Sequence, residues 1–335
     1  MTDDPAPIDA NPINPTEPGS GDGPTGTEGD ASTGLSSCYR HPGRETGVRC
    51  TRCDRPICPQ CMIPASVGFQ CPECVSEGRK SVRPARTMYG GTVRRGGLDI
   101  TRVLIGINVL VFLVTLSGGG GVISGSRSGN SDIYDRFALI PAAVAHGEWY
   151  RLFTSMFLHF GFLHIAFNMW ALLVIGTPLE QMLGRLRFLV LYVLAGIGGG
   201  ILSFSTGQIL TPAAGASGAI FGLFGAFYVI GRRRGLDTAP IVGLIAVNLV
   251  LSFTFSNIDW RGHVGGLITG AAVAFAFAWA PTGPLRDRVQ AAGCAAVAVL
   301  LAAAGFLGAA HVHHECPNYA QIPTSNGGTA HVCSF

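Results

Sequence analysis

This sequence is short of charge: only 13% of its 335 residues are charged, Lys80 is its single lysine, and 48% are hydrophobic. A chain so poor in charge does not make an ordinary soluble domain of this length, and the apolar residues after position 98 mark a polytopic, all-α membrane protein. The first 37 residues have no lysine or arginine but seven acidic side chains among Pro, Gly, Ser and Thr. That stretch has no core to bury and is expected to be disordered. It also has no basic start, short apolar run or small-residue cleavage site, so removal of a signal peptide is not expected. There is no His-Glu-x-x-His motif and no pair of aspartates within the apolar runs, which excludes two chemistries of intramembrane proteolysis. The net charge of +3 is nearly uninformative, and no nucleic-acid partner is expected.

Seven runs approach the 20 or so apolar residues that cross about 30 Å of hydrocarbon, beginning near Ile100, Phe153, Phe188, Gly215, Pro240, Gly262 and Val289. The fourth and sixth carry enough glycine and polar residues to score weakly, and make spans only if neighbouring helices enclose them. Alternate loops differ in basic residues. One side has Arg94 and Arg95, Arg185 and Arg187, Arg232 to Arg234, then Arg286 and Arg288; the other has Arg127, Arg136, Arg151 and Arg261. The positive-inside rule places the N-terminus in the cytoplasm and the C-terminus outside, in a multi-pass cell-membrane protein. Arg79, Lys80, Arg83 and Arg86 form a basic linker, either a solvated tether or a contact with anionic lipid.

Cysteine falls into two groups. Ahead of the membrane stand four Cys-x-x-Cys or Cys-x-x-His pairs: Cys38 with His41, Cys50 with Cys53, Cys58 with Cys61, and Cys71 with Cys74. Each pair sets two soft donors on one tight turn, so eight ligands make two tetrahedral, structural zinc sites, joined sequentially or interleaved. A reducing cytoplasm disfavours disulfides here, and a segment so short of large apolar residues needs metal to fold. The module is also a candidate surface for a protein partner. Cys316 and Cys333, in the external tail, suit a disulfide, although His311, His313, His314 and His331 offer metal donors nearby. Cys294, mid-span, reads as a small apolar residue.

Polar groups inside the apolar runs are costly and need a reason. His164 and Asn168, four apart, share one helix face; His263 falls at the start of the sixth span and Ser217 at the start of the fourth. Spans two, four and six all run from outside to inside, which gathers these groups in the outer half of the membrane. Gly218 and Gly222, with Gly262, Gly266 and Gly270, make four-residue small faces that let spans four and six approach closely. Ser217 is then a candidate nucleophile and His263 its general base. His164, Asn168 and the Ser217 backbone N–H are candidate oxyanion donors. Taken singly, each has a plainer role: Ser217 in packing, His159 as a structural group bonding a loop or backbone, His146 solvated, and Trp149, Tyr150 and Arg151 at the membrane interface.

This set resembles the rhomboid intramembrane serine proteases. Its Gly-x-Ser-Gly motif is "GASG" at Gly215 to Gly218, its His-x-x-x-Asn motif runs from His164 to Asn168, and its second histidine motif is "HVGGLITG" from His263. "WYR", Trp149 to Arg151, stands for the Trp-Arg signature with one residue inserted. Glu180 resembles a glutamate bracing the next loop, His159 a structural histidine, and Phe221 the ring on which the base stacks, often a tyrosine. The resemblance implies a six-helix core over residues 99–280 and a seventh transmembrane helix at 281–310. It implies cleavage of transmembrane protein substrates within the lipid bilayer and no catalytic cofactor. The first three Cys/His pairs resemble the B-box zinc fingers, whose interleaving would join the first pair with the third and the second with the fourth. The expected organisation is an acidic head at 1–37, a zinc-binding module at 38–75, a basic linker at 76–98, the core, the seventh helix and an external tail at 311–335. Two other readings are a non-proteolytic relative that binds membrane helices and a haem or metal protein using His159, His164 and His263.

Overall fold

The computed structural model describes residues 34–81, 86–92, 96, 98–117, 132–255, 258–323 and 329–334. The acidic head up to residue 33, together with Arg83, Arg94, Arg95 and Arg127, lies outside them. The chain forms two compact units that divide between Arg83 and Pro84.

In the first unit, β1 (Ser36–Cys38) pairs antiparallel with β2 (His41–Thr46), and β3 (Ile63–Pro64) with β4 (Phe69–Gln70). Helix α1 (Pro72–Ser81) follows, running beyond the predicted end of the module at residue 75. Its core is almost all sulfur: Cys38, Cys50, Cys58, Cys61, Cys71 and Cys74 are buried around Ile57.

The second unit is helical. It begins with α2 (Ile100–Ser117), then the short helices α3 (Asp132–Phe137), α4 (Pro141–Ala145) and α5 (Arg151–Thr154). The long helices are α6 (Phe162–Ala171), which runs through a π turn at Leu172–Gly176 into α7 (Thr177–Leu183), then α8 (Arg185–Thr206), α9 (Ser217–Arg233), α10 (Ala239–Thr254), α11 (Trp260–Ala278) and α12 (Arg286–Glu315). A hairpin of β5 (Asn318–Pro323) and β6 (Thr329–Ser334) closes the described chain. The continuous helix Phe162–Leu183, α8 and α12 are long and apolar enough to cross a membrane, and α2 and α10 are shorter apolar helices. α9 and α11 hold the glycines and polar groups, and other helices enclose them: Ala219 to Ala226 and Gly262, His263, Gly265 and Gly266 are buried. Among the described residues the second unit is thus a six-helix core with a seventh, largely unburied helix, α12.

Local sequence explains several of the helix ends. Pro178 lies inside the helix Phe162–Leu183, where it has no N–H to donate and its ring crowds the carbonyl one turn back; the π turn just before it accommodates this. Gly184, at φ +81°, ends α7 in a backbone conformation that glycine adopts without strain. The second span starts at Phe162, not near Phe153. The run from Phe153 is spent on the end of α5, a 3₁₀ turn at Ser155–Phe157 and an extended Leu158, so the apolar run alone misplaced that start.

Candidate functional site

Glycine sets the geometry of the site. A Cβ added at Gly266 would lie 1.9 Å from the Gly218 carbonyl oxygen, one at Gly270 would lie 2.1 Å from that of Gly222, and one at Gly225 would lie 2.4 Å from that of Leu267. The backbones of α9 and α11 therefore touch along several turns, as the spacing of small residues predicts. α8 joins the seam through "GIGGG": a Cβ at Gly199 would meet the Gly262 oxygen at 2.6 Å, and one at Gly265 the Gly198 oxygen at 2.6 Å. The sequence reading did not single out these α8 glycines, although three in succession inside an apolar run were a visible signal of close approach.

Ser217 is the first residue of α9 and Gly218 its contact with α11, while His263 follows Gly262 on the opposite strand of the seam. Phe221 lies one turn beyond Ser217, and an aromatic side chain on a helix leans back toward the N-terminus. Its ring stacks on the His263 imidazole, with centroids 4.1 Å apart and planes 9° apart. Among the described residues no hydrogen bond joins Ser217 to His263. Such bonds are often long before substrate binds. His263 Nδ1 is instead 2.7 Å from Ser252 Oγ of α10, a partner that the sequence reading missed.

His164 reaches the same place from α6. Gly215 has φ +138°, and a Cβ there would sit 2.9 Å from the His164 Nε2 and 3.7 Å from Ser217 Oγ, so glycine is required on both conformational and steric grounds. The Gly215 N–H donates to the Ser155 carbonyl at 3.0 Å, fixing the turn that leads into α9. Asn168 is buried one turn below His164, and its Nδ2 has no partner among the described residues. His159 packs edge-on against His164 with centroids 5.1 Å apart.

Around this centre, two of the plainer expectations, those for Arg151 and His146, need correction. Arg151 does not anchor at headgroups: it is 1% exposed, pairs with Glu148 at 2.6 Å and donates to the Ala138 carbonyl at 2.8 Å. Trp149 is half-buried and packs against Phe204 and Phe306. His159 is buried, its ring packed against His164, and its carbonyl accepts the Tyr134 hydroxyl. His146 is not simply solvated, because its nitrogens face the Ala142 and Pro317 carbonyls at 2.9 and 3.3 Å and its ring stacks on His313. Glu180 accepts the N–H groups of Ile100 and Thr101 at 2.7 and 2.8 Å, bracing the start of α2.

In the first unit the eight cysteine and histidine ligands gather into two sets, Cys38, His41, Cys58 and Cys61, and Cys50, Cys53, Cys71 and Cys74. This is the interleaved arrangement. His41 Nδ1 is 3.8, 3.3 and 3.4 Å from the sulfurs of Cys38, Cys58 and Cys61. One ring nitrogen cannot bond three thiols at once, but ligand atoms around a tetrahedral Zn²⁺ lie about 3.5 Å apart, so the set fits that ion. Cys53 and Cys71 sulfurs are 3.7 Å apart, and the N–H of Cys71 points at Cys50 Sγ at 3.2 Å. Burial opposes ionisation of Cys38, but N–H donors of Cys58 and Arg40 outweigh it and hold the thiol down at about 6. Cys50 is likewise lowered to about 6, its burial outweighed by the N–H groups of Cys71 and Arg52. Cys61 and Cys74 are pushed up to about 11 and about 12 by burial and by neighbouring sulfurs. Crowded sulfurs that cannot all ionise on their own are what a shared cation resolves.

In the tail, a disulfide joins Cys316 and Cys333. His311, His313, His314 and His331 form no metal-holding group among the described residues, and His331 Nδ1 lies 2.6 Å from the Tyr319 hydroxyl. His159, His164 and His263 likewise form no such group among the described residues. Cys294 is half-buried and packs against the core.

The second unit has the architecture of a polytopic helical membrane protein, with a helix-start serine and an imidazole held on a glycine seam. Its residues 146–280 match the Rhomboid domain family. The chain is 41% identical over 137 residues to the putative rhomboid protease YdcA of Bacillus subtilis (strain 168), covering 39% of this chain and 69% of that relative. It is 38% identical over 228 residues to the rhomboid protease GluP of the same organism, covering 66% of this chain and 42% of that one. With the rhomboid protease AarA of Providencia stuartii it shares 28% identity over 215 residues, 56% of this chain and 75% of the relative. The chain belongs to the rhomboid family. It spans less than half the length of GluP.

Proposed function

We propose that this chain is a rhomboid-type serine endopeptidase that cleaves a peptide bond in or beside the transmembrane segment of another membrane protein. In this reading Ser217 Oγ attacks the carbonyl carbon while His263 takes its proton, forming a C–O bond and an oxyanion. The Ser217 backbone N–H, at the start of α9 and without a partner among the described residues, stabilises that oxyanion together with His164 and Asn168. His263 returns the proton to the departing amine as the C–N bond breaks; water, deprotonated by His263, then adds to the acyl carbon, and the proton passes from His263 to Ser217 Oγ as the ester C–O bond breaks. The observation that carries this reading is the Phe221 ring, stacked on His263 at 4.1 Å one turn from Ser217, which brings the imidazole to the face of α9 that begins with the serine. Capture of Nδ1 by Ser252 leaves Nε2 for the reaction.

The basic loops favour an orientation with the N-terminus in the cytoplasm and the active site near the external face. There the zinc module, holding two structural ions, sits in a reducing compartment that suits its thiolates, and the disulfide of the tail in an oxidising one. The division into head, module, linker, core, seventh helix and tail fits this arrangement. The test uses the full chain in liposomes with a substrate of one membrane segment containing small residues. Ser217→Ala and His263→Ala should abolish cleavage, and His164→Ala or Asn168→Ala should slow it about a hundred- to thousandfold. Undiminished cleavage by Ser217→Ala overturns the reading.

A further inference from the structure

α10 is a helix that faces outward almost throughout: of its residues only Ile241 and Ser252 are buried. Ser252 is 3% exposed, and its hydroxyl oxygen has two close neighbours, the Asn248 carbonyl oxygen at 2.6 Å and His263 Nδ1 at 2.7 Å. A hydroxyl has one proton to give. The carbonyl can only accept, so at that separation the proton lies between Ser252 and Asn248. The Ser252 oxygen then meets Nδ1 with a lone pair, and a second lone pair on Nδ1 would repel it. Nδ1 must therefore carry hydrogen, and in a neutral imidazole this leaves the lone pair on Nε2.

We propose that Ser252 is a positioning residue for His263: it holds the ring in the Nδ1–H tautomer and orients Nε2 as the proton acceptor. The proposal rests on the reading of His263 as the general base. It gives a buried polar group on a lipid-facing helix a role beyond the bond that serines commonly make to the carbonyl four residues back. The hydroxyl reaches a different helix, α11, and touches no reacting atom itself.

Two variants and one spectrum test it. Ser252→Ala should lower kcat about tenfold, the worth of one lost hydrogen bond, without changing KM. Ser252→Thr, which keeps the hydroxyl, should restore kcat. In the full chain labelled with ¹⁵N histidine, the ring signals absent from His263→Asn should show the Nδ1–H tautomer, and those of Ser252→Ala a mixture. Either an Nε2–H tautomer in the unsubstituted chain, which needs no variant to fold, or an unchanged kcat in Ser252→Ala overturns the proposal. Cleavage retained by Ser217→Ala would instead remove the protease reading, while the spectrum would still report the Ser252 bond.

Discussion

The seam between α9 and α11 makes Gly266→Ala the most informative single substitution. The added methyl would lie 1.9 Å from the Gly218 carbonyl oxygen, 2.7 Å from the carbon and 3.1 Å from Cα. All three atoms are backbone, so no side chain can swing aside. Ordinary contact begins near 3.4 Å, so the helices must part by about 1.5 Å. The strain of such overpacking costs about 1–3 kcal/mol, which a large helical unit can survive. Catalysis is less tolerant: Ser217 adjoins Gly218, and His263 lies three residues before Gly266. A misplacement of about 1 Å typically costs about a hundredfold in rate. Gly266→Ala should thus insert and fold with a lowered thermal midpoint, yet cleave a membrane substrate in liposomes about a hundredfold more slowly. Gly243→Ala on α10, where an added Cβ meets nothing within 4 Å, is the control and should match the unsubstituted chain. Full activity in Gly266→Ala would refute the claim that this contact sets the active-site geometry.

Elemental analysis of the full chain should find two zinc ions, with Cys58→Ser and Cys71→Ser each losing the ion of its own set; a folded sample without zinc contradicts the metal assignment. Glu148→Ala removes the partner of an arginine that is 1% exposed and should cost about 3 kcal/mol or more, read as a fall in thermal midpoint, because the remaining guanidinium charge stays buried. An unchanged midpoint would mean that the pair contributes nothing. In the C-terminal hairpin, burial holds His331 below the usual histidine value, against the opposing pull of Asp135. The neutral ring is favoured on folding, so its contribution is complete above the ordinary value of about 6.5 and is lost as pH falls through the depressed folded value. Amide exchange at Tyr319 and Val332, corrected for intrinsic rates, should quicken with acidification and do so less in His331→Gln. Equal acid sensitivity in both would exclude His331 as the cause.

Much of the architecture was legible because the membrane and the glycine rule act on composition and spacing. Gly218, Gly222, Gly262, Gly266 and Gly270 fall at the intervals that let two backbones meet, and they do meet. Paired ligands three apart announce metal turns in the same local way. Features that depend on a third element were not legible. Ser252 is eleven residues from His263 in the chain, on another helix, and no periodicity marks which hydroxyl will find a ring nitrogen. Arg151 looked like an interfacial cation because its partners, Glu148 and the Ala138 carbonyl, are brought to it by the fold of the segment between α2 and α6. The start of the second span was misread because Phe153 to Phe160 has a span's composition but is folded as a short helix, a 3₁₀ turn and an extended link.

The most direct measurement of the central claim is labelling by a fluorophosphonate, which reacts with a serine whose proton is removed by a neighbouring base. Peptide mapping of the full chain in liposomes should find one adduct, on Ser217, lost in Ser217→Ala and strongly slowed in His263→Ala. An adduct on another serine, or labelling of Ser217 at the same rate without His263, would contradict a Ser217–His263 pair.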